Sequence, residues 1–214
     1  MEVTVNVAAV VAGEGALRAL LVGEEGQRAL PGDALGPREA IDAAAARVLG
    51  DTVGLKDVFL EQLYTFGAVN RDPGGRTLSV AYYALVDAAR LGERQLARLE
   101  VPWEGETGGA VTARDTEGAE LELALDHAAI LGMAVKRLRG KLGYAPIGYQ
   151  LLPERFTLRE LQDVHETVLG RPLNKDSFRR RMLASGELEA TGEHEARVGH
   201  RPAELYRFQR RSAV

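Results

Sequence analysis

Apolar and polar positions alternate in blocks along this chain, and each block predicts an element. Residues 3–13, VTVNVAAVVAG, are β-branched and apolar; after a Gly13-Glu14-Gly15 turn, LRALLV (residues 17–22) returns, so two strands are expected. Beyond the Pro31-Gly32-Asp33 turn, residues 38–54 are alanine-rich without an internal proline. Ile41, Ala45 and Val48 or Leu49 recur there at helical spacing, with Gly54 at the stop. Two further strands are expected at residues 60–67 and 77–87, separated by the turn signal Asp72-Pro73-Gly74-Gly75. Residues 91–122 are polar and show no periodicity that names an element. Residues 125–143 predict an amphipathic helix with Leu125, Ala129, Leu131, Ala134 or Val135, and Leu138 on one side. Lys136, Arg137, Arg139 and Lys141 fall elsewhere on that helix. Residues 144–153 hold two prolines and two aromatics and read as a connection between domains.

From Arg155 the pattern changes. Thr157-Leu158-Arg159-Glu160 is a capping box that starts a helix running to Gly170. Asn174 can cap a second helix over 175–184, closed by Gly186, and residues 188–191 and 204–208 read as two short strands. Helix, short turn, helix and a two-stranded wing is the order of a winged helix-turn-helix.

Length and composition bound this picture. The chain has 214 residues, room for two domains, with 45% hydrophobic and 27% charged residues. It has no cysteine, which excludes disulfides, thiolate metal sites and a cysteine nucleophile. No basic-then-apolar leader and no long apolar run is present, so a cytoplasmic protein without membrane contact is expected. The net charge of −4 is uneven: residues 151–214 carry +2 and residues 1–150 carry −6. An acidic body with a mildly basic tail is compatible with nucleic-acid binding by the tail.

Residues 33–55 resemble the Nudix box, G-x5-E-x7-R-E-U-x-E-E-x-G-U, where U is apolar. Anchored on Gly54, the box places Glu39, Arg47, Leu49 and Leu55 in register. It departs at three places: Asp33 stands at the first glycine, Val48 at the glutamate after the arginine, and Asp51-Thr52 at the final pair of glutamates. Positions 48, 51 and 52 are spaced to share one helix face. In Nudix enzymes that face presents carboxylates to Mg²⁺ beside a pyrophosphate. Val48 cannot bind a cation and Thr52 is a neutral ligand, so no catalytic residue and no metal or other cofactor is expected. Glu39 and Arg47 are expected to pair structurally rather than to touch ligand.

The segment LEQLYTFGAVNRDPGGRTLSVAYYALVD (residues 60–87) resembles the NrtR-type Nudix-related regulators of NAD metabolism and their ADP-ribose pyrophosphatase relatives. Leu125-Asp126-His127 with Ile130-Leu131, then FTLRELQDVHETVLG, NKDSFRRRML and HRPAELYRF, are similar to the same family. The resemblance implies an α+β fold: a Nudix-like α/β/α sandwich with a mixed sheet over 1–150, including a linking helix at about 126–142, then a C-terminal winged helix over 151–214. It also implies a homodimer that binds double-stranded operator DNA and responds to ADP-ribose or a related nucleotide, usually as a repressor. Two alternatives stand beside it, an Mg²⁺-dependent ADP-ribose pyrophosphatase and a regulator of sugar use with another effector.

For the effector, Arg71, Asp72 and Arg76 are the polar candidates, because an arginine can clamp a pyrophosphate bidentately. Tyr64 and Phe66 are candidates to stack on adenine. The bland alternative is a solvated hairpin turn with core aromatics. For DNA the candidates are Lys175, Arg179, Arg180 and Arg181 on the second helix and Arg201 in the wing, with Phe178 and Met182 facing the core. The four histidines, His127, His165, His194 and His200, show no metal-ligand spacing and read as structural or surface residues.

Overall fold

A strand buried on both faces must sit in the middle of a sheet, and β1 (Glu2–Gly13) is buried from Val5 through Ala12. In the computed structural model, which describes residues 1–23, 27–92, 94, 96–196, 199 and 201–209, β1 is that central strand. It runs antiparallel to β2 (Ala16–Leu20) and to the short β3 (Gly32–Ala34). On its other side lies β5 (Thr77–Leu85), parallel to it and flanked by the antiparallel edge strand β4 (Phe59–Phe66). Beyond β2 the sheet continues through β6 (Leu96–Glu100), β7 (Thr112–Arg114) and β8 (Glu120–Leu121). This is a mixed sheet.

The period of two along β1 sorts the layers. Val5, Val7, Ala9 and Val11 meet α1 (Ile41–Val53) through Ala44, Ala45, Val48, Leu49 and Val53. Ala8, Val10 and Ala12 face the opposite layer, where Ile130, Leu131, Ala134, Val135 and Leu138 of α2 (His127–Lys141) lie. Gly54 closes α1 in the left-handed conformation, at φ 67°, with its N–H on the Gly50 carbonyl.

After α2 a short 3-10 turn, Gly148–Leu151, leads to β9 (Phe156–Thr157) and α3 (Leu158–Leu169). Both halves of the capping box form: the Glu160 N–H donates to Thr157 Oγ1 at 3.1 Å, and the Thr157 N–H to Glu160 Oε2 at 2.7 Å. Asn174 caps α4 (Lys175–Ala184) by accepting from the Ser177 N–H at 3.0 Å. A second sheet, in the order β10 (Leu188–His194), β11 (Glu204–Phe208), β9, completes the winged helix.

Two expectations are corrected. Leu125 does not join the apolar face of α2: it precedes the helix at φ 50° and is 47% exposed. Arg139, read as a polar-face residue, is buried. The connecting stretch 144–153 is anchored on both sides: Ile147 and Leu151 belong to the core under the large sheet, and buried Tyr149 to the core of the winged helix. Val164 and Val168 of α3 also enter the core of the large sheet, while the winged helix keeps a core of its own.

Candidate functional site

The loop-helix segment at residues 33–55 is organised by one arginine. Arg47 donates from Nε to Glu39 Oε1 at 2.8 Å, from Nη2 to Glu39 Oε2 at 3.0 Å, and from Nη1 to Asp33 Oδ2 at 2.6 Å. It also reaches the Ala34 carbonyl at 3.2 Å, and Asp51 lies 3.9 Å from Nη1. Glu39 in turn accepts the Gly36 N–H at 3.1 Å. Hydrogen bonds from Arg47 hold the Asp33 and Glu39 carboxyls below the usual carboxylate range, and the same bonds raise the guanidinium. Glu39 and Arg47 thus form the structural pair their spacing suggested.

The cation-binding face that this helix carries in the Nudix box is changed in kind. Val48 is 2% exposed and packs into the sheet, whereas Asp51 and Thr52 point outward. Asp51 is the one carboxylate among the three positions, and its nearest charge is a guanidinium. Among the described residues no group of three or more His, Asp or Glu side chains is placed to hold a metal ion. These residues do not fit Mg²⁺.

The effector candidates separate into two kinds. Arg71 is committed: its Nε and Nη2 donate to the two Asp126 oxygens at 3.0 and 2.7 Å, and its Nη1 donates to Thr77 Oγ1 at 3.0 Å. Its side chain is 2% exposed, so it is not presented to solvent as a clamp. Asp72 accepts the Gly74 N–H at 2.8 Å and shapes the turn. Arg76 is exposed and ties the loop shut through Nη1, on the Gly67 carbonyl at 2.8 Å and the Ala68 carbonyl at 3.0 Å. Tyr64 is exposed on the edge strand, and half-buried Phe66 meets it edge to face at 5.4 Å. Tyr64 and Phe66 are brought together, and Arg76 holds the backbone of the two residues that follow Phe66.

Asp126, Thr77 and His127 were not among the site candidates. Asp126 and His127 lie in the Leu125-Asp126-His127 motif, but their partners at Arg71 and Leu30 are far away in sequence. The His127 Nδ1 accepts the Leu30 N–H at 3.0 Å, and burial pushes its pKa down to about 4.

In the tail, α4 exposes Lys175, Arg179, Arg180 and Arg181, while Phe178 and Met182 are buried with Tyr149, Phe156, Leu158, Leu161 and Tyr206. Arg181 differs from its neighbours. Its guanidinium folds over the Phe178 ring at 5.6 Å and lines a small cavity with Leu142, Tyr144, His165 and Glu187. His165 contacts Phe178 edge to face at 5.0 Å, and burial with the nearby Arg181 charge lowers its pKa to about 4. Arg201 is exposed in the loop between β10 and β11, and His194 is exposed at the end of β10; His200 lies outside the described residues. Arg207–Glu189 at 2.8 Å and Arg155–Glu193 brace the wing.

A Nudix-like sandwich joined to a winged helix with an exposed basic helix defines a class of DNA-binding regulator. The model of the NrtR DNA-binding winged helix domain matches residues 148–208. An ADPR responsive transcriptional repressor, NtrR, from Acinetobacter baylyi is 34% identical over 212 residues, covering 96% of this chain and 81% of that protein. The crystal structure of Shewanella oneidensis NrtR complexed with a 27mer DNA superposes with TM-score 0.79 at 29% identity, covering 97% of this chain and 93% of that one. A MutT/nudix family protein from Enterococcus faecalis shares the fold, with TM-score 0.73 at 22% identity, over 97% of this chain and 86% of that one. The chain belongs to the NrtR family of transcriptional repressors. No helix among the described residues is long and apolar enough to cross a membrane.

Proposed function

We propose that this chain represses NAD-metabolism genes, binding operator DNA as a homodimer through residues 151–214 and sensing ADP-ribose or a related nucleotide through a non-hydrolytic domain at residues 1–150. The observation that carries this reading is the state of the Nudix helix. Val48 is turned into the core, and Arg47 occupies the carboxylates of Asp33 and Glu39. A nucleotide held there meets no charge set able to gather Mg²⁺ and activate water.

Tyr64, Phe66 and Arg76 form the effector surface in this reading, with Asp72 shaping its turn and Arg71 holding the turn to Asp126. The ADPR response of the Acinetobacter relative and the 27mer DNA complex of the Shewanella protein support the choice of ligands. Lys175, Arg179, Arg180 and Arg181 meet DNA from α4 and Arg201 from the wing, Arg181 with its guanidinium also over the Phe178 ring.

Fluorescence anisotropy of a labelled duplex from the chain's own promoter region tests this. The expected result is tight binding that weakens steeply with salt, as counterion release requires, and that ADP-ribose reverses. Binding reversed by a sugar phosphate but not by ADP-ribose would move the chain to the sugar-regulator reading.

A further inference from the structure

The helix α2 is clamped at both ends by charged groups that belong to different parts of the molecule. At its start, Asp126 holds Arg71 and, through it, the loop that carries Arg76. Near its end, Arg139 is buried, and carbonyls stand where a carboxylate partner would be expected. Its Nε donates to the Val168 carbonyl at 2.8 Å, and its Nη1 donates to the Trp103 and Gly105 carbonyls at 2.9 and 3.3 Å. The guanidinium also lies over the Trp103 ring, 4.8 Å from its centre. Burial lowers its pKa.

Val168 sits in the last turn of α3, where helix carbonyls lack intrahelical partners and the helix dipole is negative. Arg139 therefore caps the first helix of the winged helix from outside it. The fit is close: a Cβ at Gly170, the left-handed residue that ends α3, would lie 3.1 Å from Arg139 Nη2.

Between the clamps α2 packs closely on its neighbours. A Cβ at Gly132 would come within 1.8 Å of the Gly109 carbonyl oxygen, so the helix rides directly on the backbone of the β6–β7 loop. Lys141 binds Glu61 of β4 at 2.6 Å, and Arg137 donates to the Leu63 carbonyl at 3.2 Å. From Asp126 to Arg139 the helix spans about 20 Å at 1.5 Å per residue.

We propose that α2 is the rod that carries effector binding to the winged helix, and that Arg139 is the positioning residue at its output end. A shift of the Arg71 loop pulls on Asp126. The displacement travels along α2 as a rigid element, and at the far end it moves the donors that fix Val168 and so the tilt of α3. The helix then biases one arrangement of the winged helix, which is the differential contact that coupling between two sites requires. This inference rests on the regulator reading above.

The test uses the full chain, ADP-ribose and the labelled promoter duplex, and reads the ratio of duplex Kd values with and without saturating ADP-ribose. Arg139→Met keeps most of the buried volume and removes the donors. It is expected to leave ADP-ribose affinity by calorimetry within about twofold while shrinking the ratio by about fivefold or more, within the usual range of coupling factors. Arg139→Lys, which can reach one carbonyl, is expected to restore part of the ratio. An unchanged ratio in folded R139M overturns the proposal. If R139M does not fold, Trp103→Leu, which keeps the carbonyl and removes only the ring, decides: a reduced ratio supports the rod and a wild-type ratio overturns it. A wild-type chain whose duplex affinity ignores ADP-ribose overturns the regulator reading itself, an outcome distinct from a responsive wild type with an equally responsive R139M.

Discussion

Replacing Asp126 with Asn changes one oxygen to an amide and leaves Arg71 in place, buried and without its counter-charge. The two partners are unequally placed: the Arg71 side chain is 2% exposed and that of Asp126 is 23% exposed. Removing one member of a buried ion pair costs about 3–5 kcal/mol when the survivor stays buried. Asn still accepts one hydrogen bond, so D126N is expected at the lower end, about 3 kcal/mol. Arg71→Met removes the buried charge itself and leaves a carboxylate that water can reach. Its cost is expected near about 1 kcal/mol, mostly the lost bond to Thr77 Oγ1. The double variant is expected to resemble R71M, so the two changes are strongly non-additive. Urea unfolding followed by the single tryptophan, Trp103, reads this directly. With a slope of about 3 kcal/mol per molar, D126N moves the midpoint by about 1 M and R71M by a third of that. Equal costs, or a larger cost for R71M, would refute the reasoning. ADP-ribose titration adds a second reading. A direct pyrophosphate clamp predicts that R71M loses the ligand while D126N, which frees the guanidinium, gains affinity. A structural pair predicts that both variants lose affinity together.

Other predictions concern the tail and the pH response. Thr157→Ala removes one half of the capping box and is expected to cost about 1 kcal/mol, lowering Tm by about 2–4 °C by calorimetry. Lys175→Ala is expected to weaken duplex binding alike for specific and random sequences and to reduce the salt slope by about one; R179A, if it reads a base, costs about 1–3 kcal/mol for the specific duplex only. Binding by R179A that falls equally on both duplexes reassigns that residue to phosphate. His127 and His165 have pKa values near 4 in the folded chain because burial disfavours the charged form. The unfolded chain therefore binds more protons between about pH 6.5 and 4. Stability is full above that window and falls through it as the pH drops, by up to about 1.4 kcal/mol per pH unit for each histidine. His127→Gln is expected to flatten that slope by half in pH-dependent urea midpoints.

How much of this was legible depends on how local each cause is. Strong local signals transferred well: the strand pattern of β1, the Thr157 box, the Asn174 cap and the Phe178–Met182 pair are all written within a few residues, and the Glu39–Arg47 pair followed from the box spacing, whereas Asp33 as a second partner of Arg47 was not legible. β6, β7 and β8 were not legible, because they are short and take their register from neighbours in the sheet rather than from their own pattern. Arg139 shows the limit most clearly. Charge and period place it on a solvated face, yet carbonyls from residues 103, 105 and 168 enclose it. Prolines at 146 and 153 marked the connection between domains, but its anchoring by Tyr149, which stacks on Phe208 at 4.5 Å, was not legible. The burial of Arg71 was not legible, since Asp126 is 55 residues away.

The central claim is that the Nudix-like domain reads its nucleotide without cleaving it. The most direct measurement mixes the protein–duplex complex with ADP-ribose and Mg²⁺, follows the duplex by anisotropy, and recovers the nucleotide by chromatography. The account predicts that the duplex is released while ADP-ribose comes back intact. A duplex that stays bound, or ADP-ribose converted to AMP and ribose phosphate, would contradict it.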